Sequence, residues 1–486
     1  MQVYNSETRR KEPFQPREEG KVAIYVCGIT AYDICHIGHA RAAVVFDVLV
    51  RFLRAKGYRV VFARNFTDVD DKIINRAVEE EVSSEEVAEK YIRFFSRDME
   101  RLEVLQADFE PRATEYIQQM QDLIQKLLDK GYAYSTPQVD VYFRVRSFPD
   151  YGSLSGRDVE ELKAGIRIDP GEDKEDPLDF ALWKRAKPEE PAWPSPWGEG
   201  RPGWHIECSA MSQELLGLPI DIHGGGQDLI FPHHENERAQ SKAASGTDFV
   251  RYWMHNGYVL VNNEKMSKSL DNFVTLPDIF PHYPPEVLRF FLLGKHYRSP
   301  LDFTWSAMQD SERGLKRIYQ TRSSVEKTLQ QEKPKAEGEL PAELLQEAES
   351  LLQSCWDKLD DDLNTAACIG DVFSLVRTAN RILENQAWRR SQQGRELLVR
   401  IGEGIQLLGQ TLHVFHKEPF AFLDELRRFK AGRQGIDPRE VENLLQQRQE
   451  ARRNKDFQLA DSLRDQLADM GVTVQDGPEG SSWDVQ

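Results

Sequence analysis

Cysteine is scarce in this chain, and the scarcity excludes a class of fold. Five residues, Cys27, Cys35, Cys208, Cys355 and Cys368, are scattered over 486 positions, too sparse for the disulfide framework of a secreted scaffold. Long apolar runs are missing too. None approaches the ~18 residues that cross a bilayer, and the polar start Met1-Gln2-Val3-Tyr4-Asn5-Ser6 has no signal-peptide core. The expectation is a soluble, cytoplasmic protein with no membrane partner. Positive charge is short as well: 63 basic against 80 acidic residues leave a net charge of -17. That excludes a general nucleic-acid coat protein and confines any RNA contact to a local basic patch.

What is present alternates. Residues 22–26 form a short apolar, β-branched run, and after a glycine-containing loop a helical pattern covers about 39–55. A second run at 58–63 ends at Asn65-Phe66-Thr67-Asp68 and leads into a helix rich in Ala, Glu and Lys. Strands alternating with helices predict an α/β fold on a parallel, doubly wound sheet. From about 116 to 202 the alternation breaks into a helix to Lys130, a strand-like run at 139–143, and a loop dense in proline, glycine and charge. We read this as an insertion between two halves. The alternation resumes at 218–222, followed by Gly224-Gly225-Gly226, a helix from about Pro232, and strand candidates at 252–255 and 258–261. Beyond about 310 the chain is mostly helical to His416, with a charged linker near 330–339 and a glycine-rich tail at 476–480.

Two short strings carry the chemistry: His36-Ile37-Gly38-His39 and Lys265-Met266-Ser267-Lys268-Ser269. Ligands of open α/β sheets bind beyond the carboxyl ends of the strands, and the first string falls there. The helix that follows offers backbone donors and a dipole that favour phosphate. Gly38 lets a nucleotide approach the backbone, while His36 and His39 offer imidazole donors to charge developing on the α-phosphate, each worth ~10²–10³ in rate. Lys265 and Lys268 suit a loop that closes over triphosphate, although such a string alone is more often a solvated charge run. Gly224 and Gly226 end another strand, where backbone can lie near adenosine, and Asp228 can accept from ribose hydroxyls. A plain turn is the bland alternative.

Cys27, Cys208 and His233 fall near sheet edges on that same side, although the cysteines are about 180 positions apart. His233 and Glu237 are four apart on a predicted helix and share a face, and zinc takes sulfur, nitrogen and carboxylate donors like these. By spacing alone His234, three from Glu237, is a rival. A protease-type zinc helix is excluded, because Arg238 stands where the second histidine belongs. Thr67, Trp204, His205 and His223 lie within reach of a substrate pocket on that side, with core packing as the alternative for each.

The paired strings resemble the HIGH and KMSKS signatures of class I aminoacyl-tRNA synthetases. The segments from Cys27 to His39, from Gly203 to Ser209 and from Phe231 to Glu237 resemble the cysteinyl-tRNA synthetase family more narrowly. The resemblance runs through nearly the whole chain, including Asp360-Asp361-Asp362-Leu363-Asn364-Thr365 and the segment from Asp456 to Trp483. It implies one Zn²⁺ held by Cys27, Cys208, His233 and Glu237, with the substrate thiolate on the same metal, and Lys268 stabilising the departing pyrophosphate. L-cysteine, ATP with Mg²⁺ and tRNA(Cys) are the implied substrates, and a monomer the implied state. Two departures stand out: Ile29-Thr30-Ala31 where the family more often has Pro-Thr-Val, and Asp271 where it has glycine.

Physical chemistry supports a metal here. A pocket that sorts cysteine from serine by size gains only ~1–3 kcal/mol. A thiol of pKa ~8.5 ionises readily on zinc, whereas an alcohol is a harder, weaker ligand. Four protein ligands would ordinarily indicate a closed structural site; proximity to the ATP strings favours catalysis. An insertion of under ninety residues is also short for a separate editing domain.

The expected organisation is a Rossmann-like catalytic domain in two halves, 1–115 and 203–264, around a connective insertion at 116–202. Residues 265–318 carry the second signature and stem contacts, 319–416 a helical bundle, and 417–486 a small anticodon-binding region. Arg448, Arg452, Arg453 and Lys455 form a basic cluster on a C-terminal helix that can meet phosphate, or is simply a solvated face. Two rival functions remain at this stage. One is a ligase joining cysteine to an amino sugar, which has no use for the extension from 310 to 486; the other is a non-catalytic zinc-stabilised RNA-binding protein, which has no use for His36, His39, Lys265 and Lys268.

Overall fold

The computed structural model describes residues 1–158, 160, 173–266, 272–331, 339–477 and 480–485. At its centre four parallel strands run in the order Val250–Asn256, Ile220–Gly226, Lys21–Thr30 and Arg59–Thr67. Strand order reverses beside Lys21–Thr30, the earliest of these four in the chain, and that is where a doubly wound sheet opens a crevice for ligands.

Alternation along Lys21–Thr30 assigns each side chain to a face. Val22, Ile24 and Val26 enter one core, which the helix Ile37–Ala55 covers with Val44, Val48, Leu49 and Phe52. Tyr25 enters the other core, against which Cys27 also packs, beneath the helix Trp204–Leu216. Strand register extends that second face sideways: Tyr25 lies beside His223, and His223 beside Trp253. Period-two geometry thus sets Cys27, His223, Trp253 and His255 on one side of the sheet.

Several elements differ from the sequence expectation. The single helix expected after Thr67 is two helices, Asp71–Glu80 and Ser84–Arg101, because Glu81 turns left-handed at φ 56° and Ser83 caps a new start in a reciprocal box with Glu86. The supposed proline-rich loop of the insertion contributes strands Phe180–Arg185 and Gly200–Pro202, which complete a four-stranded antiparallel sheet with Ala133–Ser135 and Val141–Phe143. The glycine-rich tail is a hairpin, Val472–Gly477 against Gly480–Val485, closed over its own small core of Val441, Leu467 and Trp483.

A separate three-stranded sheet pairs Val259–Val261 with Glu264–Lys265 on one side and Leu301–Phe303 on the other. Long helices follow, Trp305–Gln331, Ala342–Asp360, Thr365–Glu384 and Gln392–Leu412, then Pro419–Arg433, Pro438–Arg453 and Phe457–Asp469. Asp362 ties these parts together, accepting from the Tyr4 amide, the Tyr297 hydroxyl and the Arg298 guanidinium.

Candidate active site

A cleft of about 500 Å³ opens where the strands end, lined by both signature regions and by the cysteines. Cys27, Thr67, Cys208 and His233 form its inner wall, while His36, Gly38, His39, Asp228 and Lys265 form its mouth. A larger hollow of about 830 Å³, between the helices of residues 71–101 and the loop 189–193, contains none of the residues singled out from sequence.

At the inner wall four donors converge. Cys27 Sγ is 3.6 Å from Cys208 Sγ and 3.3 Å from Glu237 Oε1, and His233 Nε2 is 2.9 Å from the same carboxylate oxygen. These four ligand atoms lie within 4.8 Å of one another. A second set shares two members: Cys27 and Glu237 also meet His223 and His234, with His234 Nε2 3.3 Å and His223 Nε2 3.5 Å from Cys27 Sγ. The ambiguity between His233 and His234 that spacing left is therefore real in space. Trp204 stacks on His233 at 4.3 Å, and His205 Nδ1 is 3.0 Å from His233 Nδ1, which holds the His233 ring. His205 stands behind the wall, not in it.

Electrostatics suit a cation. Burial and the adjacent Cys208 push the Cys27 thiol well above the ordinary range, and burial pushes the Glu237 carboxyl up as well. Burial alone would raise Cys208, but the Cys27 thiol donating to it and the nearby His233 bring it down to about 7. Burial keeps His223 and His234 neutral, hence able to offer lone pairs. Among the described residues Glu237 Oε2 and His223 Nδ1 have no hydrogen-bond partner, although His223 Nε2 stands 3.4 Å from Glu237 Oε2. Soft thiol and borderline imidazole donors, with a buried orphan carboxylate oxygen, form a cluster compatible with a metal ion.

At the mouth the structure revises the sequence argument. His36 caps its own helix: its Nδ1 accepts from the Gly38 and His39 amides at 3.0 and 3.4 Å, and His39 Nδ1 accepts from the His36 amide at 3.4 Å. Ile37 N–H donates to Val274 and Ala40 N–H to His36. The early backbone donors of this helix are taken, so the phosphate-binding capacity moves to the side chains. A ring that accepts at Nδ1 carries its proton on Nε2. Burial and the neighbouring His36 hold His39 well below the ordinary imidazole range, which keeps it neutral.

The glycines divide in the same way. A Cβ at Gly38 would meet the His36 ring at 2.8 Å, so its absence makes room for the cap. A Cβ at Gly226 would meet Asp228 Oδ1 at 2.3 Å, which lets that carboxylate fold over the strand end. Gly224 lies behind the cleft, where a Cβ would meet Phe46 at 2.2 Å; it is a packing glycine, contrary to the nucleotide role expected of it. Lys265 places its ammonium 5.6 Å from the Tyr258 ring. Lys268 and Asp271 lie outside the described residues.

Sequence reasoning missed three neighbours. Asn65 Oδ1 accepts the Gly28 amide at 2.9 Å and lies 3.6 Å from Cys208 Sγ. Glu207, wholly buried, accepts from Thr67 Oγ1 at 2.9 Å, and burial pushes its carboxyl well up. His255 Nε2 meets His234 Nδ1 at 2.7 Å. Asn65 sits one alternation before Thr67, and Glu207 adjoins Cys208, so adjacency to chosen residues was the available signal.

Comparison with known proteins gives the family. Residues 13–313 match the class I (C) catalytic domain model of tRNA synthetases, residues 356–415 the DALR domain, and residues 438–483 the cysteinyl-tRNA ligase anticodon binding domain. Over 485 residues, covering 100% of both chains, the sequence is 59% identical to a cysteine–tRNA ligase of Nitratidesulfovibrio vulgaris and 58% identical to one of Oleidesulfovibrio alaskensis. The chain belongs to the cysteine–tRNA ligase family. Among solved structures it is similar in fold to Mycobacterium tuberculosis methionyl-tRNA synthetase in complex with methionyl-adenylate, at 16% identity, a TM-score of 0.64, and coverage of 86% and 95%.

For a cysteine–tRNA ligase the C-terminal basic cluster matters, and one member of it is corrected. Arg448 is 5% exposed and makes a bidentate pair with Asp476 at 2.7 and 2.9 Å, with Ser481 as a third partner. It fastens helix to hairpin and does not face solvent. Arg452 shares Asp476 at 2.8 Å, while Arg453 and Lys455 are exposed. No helix among the described residues is long and apolar enough to cross a membrane.

Proposed function

We propose that this chain activates L-cysteine with ATP and transfers it to the terminal adenosine of tRNA(Cys). The cysteine carboxylate attacks the α-phosphate, pyrophosphate leaves, and cysteinyl-AMP forms; a ribose hydroxyl then attacks the acyl carbon and AMP leaves. No side-chain nucleophile is required, because orientation and charge stabilisation suffice. The observation that carries the reading is the convergence on the buried Glu237 of Cys27, Cys208 and His233, which line the inner wall of the cleft whose mouth holds His36, His39 and Lys265.

The neutral rings of His36 and His39 present Nε2–H donors toward the α-phosphate side of the mouth. Asp228 accepts from ribose. Lys265 and Lys268 neutralise the departing pyrophosphate, whose Mg²⁺ comes with ATP. Cys27, Cys208, His233 and Glu237 hold one Zn²⁺, which supplies a Lewis acid that favours a thiolate over an alcohol. Trp204 closes the amino-acid pocket from above His233, and Thr67, oriented by Glu207, borders it. Arg453 and Lys455 contact tRNA phosphates. The monomeric, cytoplasmic state and the domain limits given above belong to the same proposal.

The test is direct. Purified protein, ATP, labelled cysteine and total tRNA should give label on acid-precipitable RNA. Cysteine-dependent pyrophosphate exchange without labelled RNA would contradict the acceptor, and no exchange would contradict the activation step.

A further inference from the structure

A second hollow, about 630 Å³, lies away from the catalytic cleft, between Trp305 and the helix Pro419–Arg433. Trp305 is 45% exposed, an unusual position for the largest apolar side chain. It is not loosely held. Phe303 and His282 meet it edge-on with ring centroids 5.3 and 5.4 Å away, and Tyr283 lies near-parallel at 6.3 Å. The Arg433 guanidinium stands 5.2 Å over Tyr283 and donates to the His282 carbonyl at 3.2 Å. Lys430 and Arg433 share the buried Glu312 at 3.2 and 3.5 Å. The charged lining is thus Arg313, Lys430 and Arg433 against the one carboxylate of Glu312, with Arg313 also paired to Asp310 just outside the hollow, in a chain of net charge -17.

A fixed, open indole rimmed by cations matches the demands of an unpaired nucleotide: a base face to stack on and phosphates to neutralise. Position favours RNA over other polyanions. Trp305 falls near the end of the catalytic match, 13–313, and Arg433 lies just before the anticodon-binding match, 438–483. An RNA held by both regions has this junction between its two holds along the chain. Trp305 also lies two residues beyond Leu301–Phe303, a strand of the same small sheet as Glu264–Lys265.

We infer that Trp305, with Lys430 and Arg433, is a contact site for the tRNA substrate, stacking an unpaired nucleotide between the two ends of the molecule. This rests on the function proposed above.

The experiment compares wild-type protein, Trp305→Ala and Trp305→Phe in two assays. The inference expects Trp305→Ala to raise the KM for tRNA about tenfold, Trp305→Phe to restore most of it, and cysteine-dependent pyrophosphate exchange to stay within twofold in both. An unchanged KM for tRNA in Trp305→Ala overturns the contact while leaving the proposed function intact. Equal losses in exchange and in aminoacylation also overturn it, because they mark a structural role. A wild-type protein that exchanges pyrophosphate but charges no tRNA would remove the acceptor and this site together.

Discussion

The sulfur atoms of Cys27 and Cys208 stand 3.6 Å apart although 181 positions separate them in the chain. The sheet makes this possible: alternation puts Cys27 on the face of Tyr25, and the helix Trp204–Leu216 lies on that face with Cys208 inward. The proposed choice of cysteine over serine depends on that meeting.

His36 combines a helix cap with a proposed donor to phosphate, and the two roles separate by substitution. Asparagine is a good cap residue but too short to present a donor where Nε2 stands. His36→Asn should keep the melting temperature within a few degrees while pyrophosphate exchange falls ~10²–10³-fold. His36→Ala should lose the rate and also about 1 kcal/mol of stability. Melting curves beside exchange rates check both; a normal rate in His36→Asn would contradict the donor role.

His233 and His234 belong to two alternative donor sets for the proposed metal. The set containing His233 includes both thiols, the softer donors that zinc prefers. His233→Ala should therefore cost most of the bound zinc, and His234→Ala much less. Metal analysis of the two purified variants decides; the reverse order would move the site to His223 and His234.

Arg448 should behave as a structural residue. Removing its bidentate pair with Asp476 should lower stability by about 1–3 kcal/mol, with the KM for tRNA unchanged at a temperature where the variant is folded. Arg453→Ala and Lys455→Ala should raise that KM and leave stability alone. Denaturant melts and tRNA titrations read the contrast.

Glu286 should make stability depend on pH. Burial pushes its carboxyl up to about 7 from 4.5, against the donors Tyr319 Oη and the Phe415 amide. The folded state therefore holds the proton more tightly than the unfolded chain, so this group's contribution is fully present below about 4.5 and is lost as pH rises through 7. Glu286→Gln keeps an acceptor oxygen for both donors. The gap in melting temperature between variant and wild type should shift in favour of the variant between pH 5 and pH 8; a constant gap would contradict the assignment.

Much of this was legible in the sequence. Parallel strands read as apolar runs, so the sheet emerged from residues 22–26 and 58–63, and the cleft followed from what ends those strands. The rest depended on contacts that no local pattern encodes. A histidine that caps its helix through its own ring looks in sequence like two donors facing a ligand. Gly224 looks like a nucleotide glycine until Phe46 is seen filling its space, and Arg448 looks solvated until Asp476 arrives from the hairpin. In the insertion only the run at 139–143 reads as a strand; Ala133–Ser135 and Gly200–Pro202 are three residues each and Phe180–Arg185 follows a stretch dense in proline, glycine and charge, so pairing is what reveals them.

The most direct test of the account is the behaviour of Cys208→Ser. Zinc per chain and cysteine-dependent pyrophosphate exchange should be measured on the same preparation, with circular dichroism to establish folding. Both should fall together, at least tenfold, in a folded protein. A folded variant that has lost its zinc yet activates cysteine at the wild-type rate would contradict it.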